Sequence, residues 1–267
     1  MDRYRLKNII ILILVLVNLF LLGSLASRKT AETSARRRTV QELVDLFAAY
    51  DMTLDPEVIS DETPPDSRLL TRDLALEERA AGFLLGQDLS SADQGGGIYT
   101  YASHKGAALF RSSGSFDAVG TLAAEDVEDF CQDFCREFFF EDPVFTLDET
   151  GTGTATAIRR CAGLPVYNCS VVFTLEEGRL VSVNGTLLPE NYTSSSADML
   201  SALAALTAFQ NAKQASGAVA SVVTGMELCY ELQSTTTASM SLVPVWCVTT
   251  DTVNYYVNCV TGAVSQG

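Results

Sequence analysis

Histidine is almost missing from this 267-residue sequence, where His104 is the only one. That excludes most histidine-based metal sites and leaves one candidate for a Ser–His or Cys–His catalytic pair. His104 follows Ser103 in an expected hairpin turn, where an exposed histidine is ordinary. A Cys or Ser hydrolase would have to use it, and the favoured reading is a chain that is not an enzyme. The motifs of familiar catalysts are missing too. There is no phosphate loop, no G-x-G-x-x-G, no G-x-S-x-G and no H-E-x-x-H. No D-x-D-x-D-G calcium loop occurs either. No metal and no cofactor is expected. Positive charge is scarce, with 18 Lys and Arg against 33 Asp and Glu, for a net charge of −15. Such a chain repels a phosphate backbone, which excludes nucleic acid as a partner.

Paired cysteine motifs are also absent. The seven cysteines (Cys131, Cys135, Cys161, Cys169, Cys229, Cys247 and Cys259) include no C-x-x-C. Zinc would need more ligands at suitable spacing, and an odd count does not make a complete disulfide framework. The leading reading is small buried hydrophobes; one or two disulfides stay open, with no pairing assigned. Matches to N-x-S/T at Asn168, Asn184 and Asn191 are of a kind that chance supplies often.

What is present is apolar. Hydrophobic residues make up 47%, with 13 Phe and 9 Tyr, enough for a packed core and too many for a disordered chain. Charge is unevenly spread: residues 1–38 carry eight basic and two acidic residues, and residues 39–267 carry ten basic and 31 acidic. Between Lys7 and Arg28 lie twenty uncharged residues, including an unbroken run from Ile9 to Val17 and then Leu19–Leu22. As a helix that stretch is ~30 Å long, the thickness of bilayer hydrocarbon. An uncleaved anchor is therefore expected. The alternative is a signal peptide cut after Ser24-Leu25-Ala26, although such peptides usually have a shorter apolar run. Counting Lys and Arg at the span ends gives three before and five after, which taken literally places the body in the cytoplasm. Asn18 is the polar side chain within the run; it either seeks another helix or bends back to its own backbone.

Past the basic segment the pattern alternates helix and strand. Val40, Leu43, Val44 and Phe47 line one face of a helix over 39–50, and Asp51–Pro65 is a loop. A second helix fits Arg72–Leu85 with Gly86 as its cap, and Ser90–Gly97 is a flexible run. Strands are expected at Ile98–Tyr101 and Ala107–Arg111, flanking the turn His104-Lys105-Gly106. Val127, Phe130, Phe134 and Phe138 recur at helical spacing in Ala124–Phe140 and mark core. Strands follow at 144–147, 154–160, 167–175 and 180–184. A third helix runs over 197–214 behind Ser195-x-x-Asp198, followed by strands at 219–223, 227–232, 245–250 and 255–260. The two helix-led stretches look alike, each reaching Pro-Val-aromatic: Pro165-Val166-Tyr167 and Pro244-Val245-Trp246.

Two ends of the chain resemble a known family. The basic start with Val17-Asn18-Leu19-Phe20-Leu21-Leu22 resembles the anchor of YycI-type proteins of Gram-positive bacteria. The close, Pro244-Val245-Trp246, Tyr255-Tyr256-Val257-Asn258 and Thr261-Gly262, resembles that family's last strands and, more loosely, a PepSY-like strand pattern. The resemblance implies an α+β fold: a transmembrane helix, then antiparallel sheets with helices packed on one face, in tandem PepSY-like helix-plus-sheet units. The expected organisation is a cytoplasmic tail (1–7), a transmembrane anchor (8–27), a basic juxtamembrane segment (28–38), an N-terminal α+β module (39–120) and two helix-plus-sheet repeats (121–192, 193–267). It further implies a single-pass protein of the cell membrane with its body outside the cytoplasm. Its implied role is to regulate a sensor histidine kinase of a two-component system that controls the cell wall, with a YycH-like protein and membrane lipid as further partners. Asn18 and Phe20 would contact other spans. Pro244, Trp246, Tyr255, Tyr256, Asn258 and Gly262 would form the family-like C-terminal motif. The alternative is a PepSY-like binding module that restrains an extracellular peptidase.

Overall fold

The computed structural model describes Leu14, Val17 and Asn18 and residues 33–123, 126–217, 219–234 and 240–267. Helix α1 covers 33–48. It is followed by β1 (Thr53–Leu54), a 3-10 turn (Pro56–Val58), β2 (Ser67–Leu70) and α2 (Leu74–Leu85). Four strands come next: β3 (Ser90–Gly95), β4 (Ile98–Ser103), β5 (Gly106–Arg111) and β6 (Ser115–Ala123). Helix α3 (Val127–Glu137) leads into β7 (Val144–Leu147), β8 (Gly153–Cys161), β9 (Leu164–Glu176), β10 (Arg179–Thr186) and β11 (Tyr192–Ser195). Helix α4 (Ala202–Ser216) leads into β12 (Val222–Ser234), β13 (Met240–Thr250), β14 (Asn254–Asn258) and β15 (Val264–Gln266).

The expected architecture is corrected at two points. No helix among the described residues is long and apolar enough to cross a membrane, so the transmembrane helix is not supported. Of the expected anchor only Leu14, Val17 and Asn18 are described, all helical and exposed; the rest, Phe20 included, lies outside the described residues. The first helix that packs is α1. It carries Arg36, Arg37, Arg38, Glu42 and Asp45 and fully buries only Leu43 and Phe47, the one-sided pattern of a surface helix. Arg36, in the expected juxtamembrane segment, pairs with Asp61. Second, the strands do not form separate antiparallel sheets. They join in one mixed sheet whose main path runs β11-β2-β13-β12-β9-β10-β6-β5-β4-β3. The pairs β1–β12 and β12–β9 are parallel. The cause is length: β9 and β12 each have 13 residues. The start of β9 runs past β10, which begins to pair only at Val171. That overhang takes β12 at Tyr230↔Val166.

Local differences have local causes. Ser90–Gly97 is largely strand β3, although it lacks apolar alternation; each of its residues is exposed, and Gln94 Nε2 donates to Thr100 Oγ1 at 3.0 Å across the pair. The two strands expected over 219–232 are the single β12, which passes Gly225 where the register shifts. Helix α4 is capped by Ser201, whose hydroxyl accepts from the Ala204 N–H, because Ser195 is spent in β11.

Two clusters carry the core. In the first, α2 and α3 lie on the sheet of β4–β10, burying Leu84, Phe110, Phe116 and Phe173. Phe134 of α3 is its hub, 4.6 Å from the Phe138 ring and 5.6 Å from Phe173. In the second, α1 and α4 cover β12–β14, with Phe47, Phe209, Trp246 and Tyr255 buried together. Residues of 39–120 are shared between the two: Leu43 and Phe47 belong to the second and Leu76–Leu85 to the first. A third, small cluster of Leu70, Val166, Leu188, Tyr230 and Leu242 lies where the two halves meet.

Removing a fully buried aromatic ring costs ~3–5 kcal/mol. Phe134→Ala should therefore lower the free energy of unfolding in urea by about that amount. Val144→Ala, at a site 69% exposed, should change it by less than ~0.5 kcal/mol.

Candidate functional site

The junction between the halves is held by side chains standing in for a backbone ladder. Asn168 of β9 donates from Nδ2 to the Leu232 carbonyl at 2.8 Å, and its Oδ1 accepts from the Leu232 N–H at 2.8 Å. The amide thus supplies a rung that the strands do not make themselves. Beside it the Tyr167 hydroxyl donates to Glu231 Oε1 at 2.9 Å, and the Tyr167 ring stacks on Tyr256 with centroids 3.6 Å apart.

Across this junction opens a cavity of about 190 Å³, lined among others by Arg68, Arg159, Arg160, Cys161, Phe139 and Tyr192. It is built from both halves: β2 and β11 supply Arg68 and Tyr192, β8 supplies Arg159, Arg160 and Cys161, Phe139 comes from the segment after α3, and Leu188, Pro189 and Glu190 come from the connection between β10 and β11. Arg159 is only 6% exposed. Its Nη1 donates to the Phe139 carbonyl at 2.7 Å and to the Arg160 carbonyl at 2.6 Å. Its guanidinium faces the rings of Phe139 and Phe140 at 5.1 and 5.9 Å. Its Nε is buried with no hydrogen-bond partner. Among the described residues neither Arg159 nor Arg68 forms an ion pair. Arg160 is paired with Glu141 at 2.6 Å and also donates to Gly163. The carboxylate at the rim, Glu190, faces Arg79 at 3.6 Å.

Strain marks the same place. Phe139 sits at φ +57° and Ala162 at φ +49°, a region costly for residues with a side chain. Ala162 and Gly163, both at positive φ, form the two-residue turn that joins β8 to β9. That turn leaves Cys161, the last residue of β8, at the cavity. Arg68 lies 4.2 Å over the Tyr192 ring and 5.7 Å from Tyr230, and its Nη1 donates to Cys161 Sγ at 3.3 Å.

Burial lowers Arg159 from the usual guanidinium value, with the neighbouring Cys169, Cys161 and the Glu190 carboxylate opposing it; arginine nevertheless stays charged. Burial acts the same way on Arg68, but the negative ends of Cys161, Tyr230 and Tyr192 outweigh it and the net shift is upward. A desolvated cation with no direct ion pair is costly, and Glu190, the nearby carboxylate, is shared with Arg79. The edge formed by Nε and Nη2 is the one with which a guanidinium grips a carboxylate or phosphate. At this volume the cavity accommodates one such head group rather than a drug-sized molecule.

All seven cysteines are free thiols, six buried and Cys161 half-buried. Burial pushes Cys131, Cys135, Cys169 and Cys259 up to about 12. Cys229 is pushed up by its hydrogen bond with Cys247 and by burial.

The residues singled out in the sequence lie elsewhere. Pro244 pairs with Tyr230 inside the β12–β13 ladder. Trp246 is fully buried and donates from Nε1 to the Leu200 carbonyl at 2.9 Å. Tyr255 packs on Phe209 with ring centroids 4.9 Å apart, and Tyr256 forms the stack with Tyr167. Asn258 turns the chain, its Oδ1 accepting from Val260 N and Thr261 N at 2.9 Å each, and Gly262 supplies φ +71° to the same turn. Of these six, Trp246 and Tyr255 belong to the second core, Tyr256 packs against the small cluster of Cys229, Val245 and Cys247, and Asn258 and Gly262 make the turn after β14. His104 is exposed in the β4–β5 turn, and the Ser103 hydroxyl donates to the Leu85 carbonyl at 2.8 Å, capping α2. Among the described residues no three His, Cys, Asp or Glu are placed to hold a metal ion. Sequence reasoning missed the arginines. The one available signal was Arg159-Arg160-Cys161, a basic pair in an acidic body.

No known family profile matches the chain, and no curated protein matches it. Among solved structures it is similar to an uncharacterized protein from Eubacterium rectale, at 14% identity and a TM-score of 0.42, over 76% of this chain and 81% of that one. It is also similar to the Bacillus megaterium YpeB C-terminal domain, at 13% identity and a TM-score of 0.34, over 74% of this chain and 98% of that one. Neither likeness is close enough to carry an inference, and nothing in them shows a YycI protein or a two-component system.

If the cavity takes a carboxylate, succinate at fixed ionic strength should raise the midpoint of thermal unfolding, with chloride as the control. The stabilisation should approach about 2.7 kcal/mol at about a hundred times the dissociation constant. It should vanish in Arg159→Gln and shrink in Arg68→Gln.

Proposed function

We propose that the protein is a non-catalytic binding module that acts on a partner protein by gripping one acidic group of it in the arginine-lined cavity. The observation that carries this reading is Arg159, a buried guanidinium with a free Nε and no ion pair, whose nearby carboxylate, Glu190, is engaged with Arg79. Folding such a charge into a cavity is unfavourable unless something of opposite charge completes it. The cavity also bridges the two halves, so an occupant would touch β2 and β11 on one side and β8 on the other. It would thereby report on, or fix, how the halves sit.

The PepSY-like pattern of the closing strands gives the reading its more specific form. In that form the module works outside the cytoplasm and restrains an extracellular peptidase, whose acidic group it holds. Regulation of a sensor histidine kinase, with a YycH-like protein, is the other specific form. It now rests on contacts of the folded body, since no described helix supplies a span.

A photoreactive residue in place of Tyr192, at the cavity rim, separates these outcomes in cells that make the full chain. Cross-links to a peptidase that disappear in Arg159→Gln are the expected result. Cross-links to a kinase with the same dependence would favour the second form. Cross-links insensitive to both Arg159→Gln and Arg68→Gln would remove the cavity from the function.

A further inference from the structure

Six of the seven thiols are shut inside the protein, and the seventh stands in the cavity beside two arginines that form no ion pair among the described residues, with Glu190, which faces Arg79, as the carboxylate in the lining. Cys161 Sγ already accepts a hydrogen bond from Arg68 Nη1 at 3.3 Å, so negative charge on that sulfur has a partner in place. Arg159, 94% removed from solvent by its 6% exposure, lines the same cavity with its Nε unmatched. The sulfur and the anion grip are therefore parts of one small volume. A molecule with a carboxylate at one end and a disulfide nearby could satisfy both at once.

We propose that Cys161 is a site of thiol–disulfide exchange with small anionic disulfides, which Arg68 and Arg159 steer to its sulfur. This rests on the reading of the cavity as an anion site and adds its regulation. In the exchange Cys161 gives its proton to solvent, and Sγ attacks one sulfur of the disulfide. The S–S bond of the small molecule breaks and a new bond forms between Sγ and the attacked sulfur. The other half leaves as a thiolate, so the Cys161 sulfur is oxidised and the departing sulfur is reduced. The half that stays, with its carboxylate on the arginines, fills the cavity. A partner's acidic group is then excluded until a thiol reverses the exchange. The protein would release its partner in oxidising conditions and hold it in reducing ones.

Two reagents test this on the intact, folded chain: dithiobis(nitrobenzoate), a dianionic disulfide, and dithiodipyridine, a neutral one. Each rate is divided by that reagent's rate with mercaptoethanol, which removes intrinsic reactivity. The expected result is one modified thiol per chain, mapped by mass to Cys161. The normalised rate should be about tenfold higher for the anionic reagent at low salt, and the excess should fall as salt screens the arginines. It should be lost in Arg159→Gln and reduced in Arg68→Gln. If either variant fails to fold, the salt series on the natural chain reads the same dependence. Equal normalised rates, or labelling at any other cysteine, would overturn the proposal. Cys161→Ser keeps both arginines, so the Tyr192-position cross-link in that variant reports partner binding separately. Its persistence beside failed steering sinks the thiol and leaves the binding reading standing; its loss in Arg159→Gln alone tests the grip without the thiol.

Discussion

Everything distinctive about this molecule follows from a single short contact between two long strands. β9 and β12 touch in parallel at Val166 and Tyr230, and little backbone pairing supports them there. The joint is held in addition by the buried cluster of Leu70, Val166, Leu188, Tyr230 and Leu242, by the Asn168 amide on Leu232, by Tyr167 on Glu231, and by the Tyr167–Tyr256 stack. Each such hydrogen bond is worth only ~1 kcal/mol net. The halves, by contrast, each bury their own aromatic cluster. The cavity lies at that joint, with Leu70 and Leu188 of the third cluster in its lining.

The electrostatics concentrate at the same place. Half of the ten basic side chains in residues 39–267 are answered by a carboxylate, as Arg72 is by Glu77 at 2.6 Å and Arg111 by Asp117 at 2.6 Å. Arg159 and Arg68 are answered by carbonyls, aromatic faces and a thiol instead. These partners stabilise a cation without neutralising it. The site therefore keeps an attraction for anions while the surrounding surface repels them, which confines anionic ligands to one small opening. The strained backbone at Phe139 has a matching role: its carbonyl takes both Arg159 Nη1 and the Arg160 N–H at 3.1 Å, so the strain and the buried charge hold each other in place.

Periodicity made the helices legible. Phe130, Phe134 and Phe138 face a core as their spacing requires, and strands bury every second residue over Ala155–Arg159 of β8 and Cys169–Leu175 of β9. The pattern failed where side chains do not alternate, as in the exposed β3, and where one glycine bulge made β12 look like two strands. The apolar run before Arg28 pointed to a span, but no described helix has the length and apolarity to provide one. The site was harder still. Arg68 and Arg159 lie 91 residues apart in sequence, and neither belongs to a motif. The resemblance drew attention instead to Trp246, Asn258 and Gly262, which the structure uses to pack and turn the chain.

Composition and local pattern determined that this chain folds around aromatic clusters, that it is acidic, and that its helices cover sheets, because those properties depend on neighbours within a few residues. Which strands share an edge, and which cations end without a counter-ion, depends on distant segments meeting. Only the packed sheet decided that β9 overruns β10 to reach β12. With that overrun it decided that Arg68, Arg159 and Cys161 face one cavity.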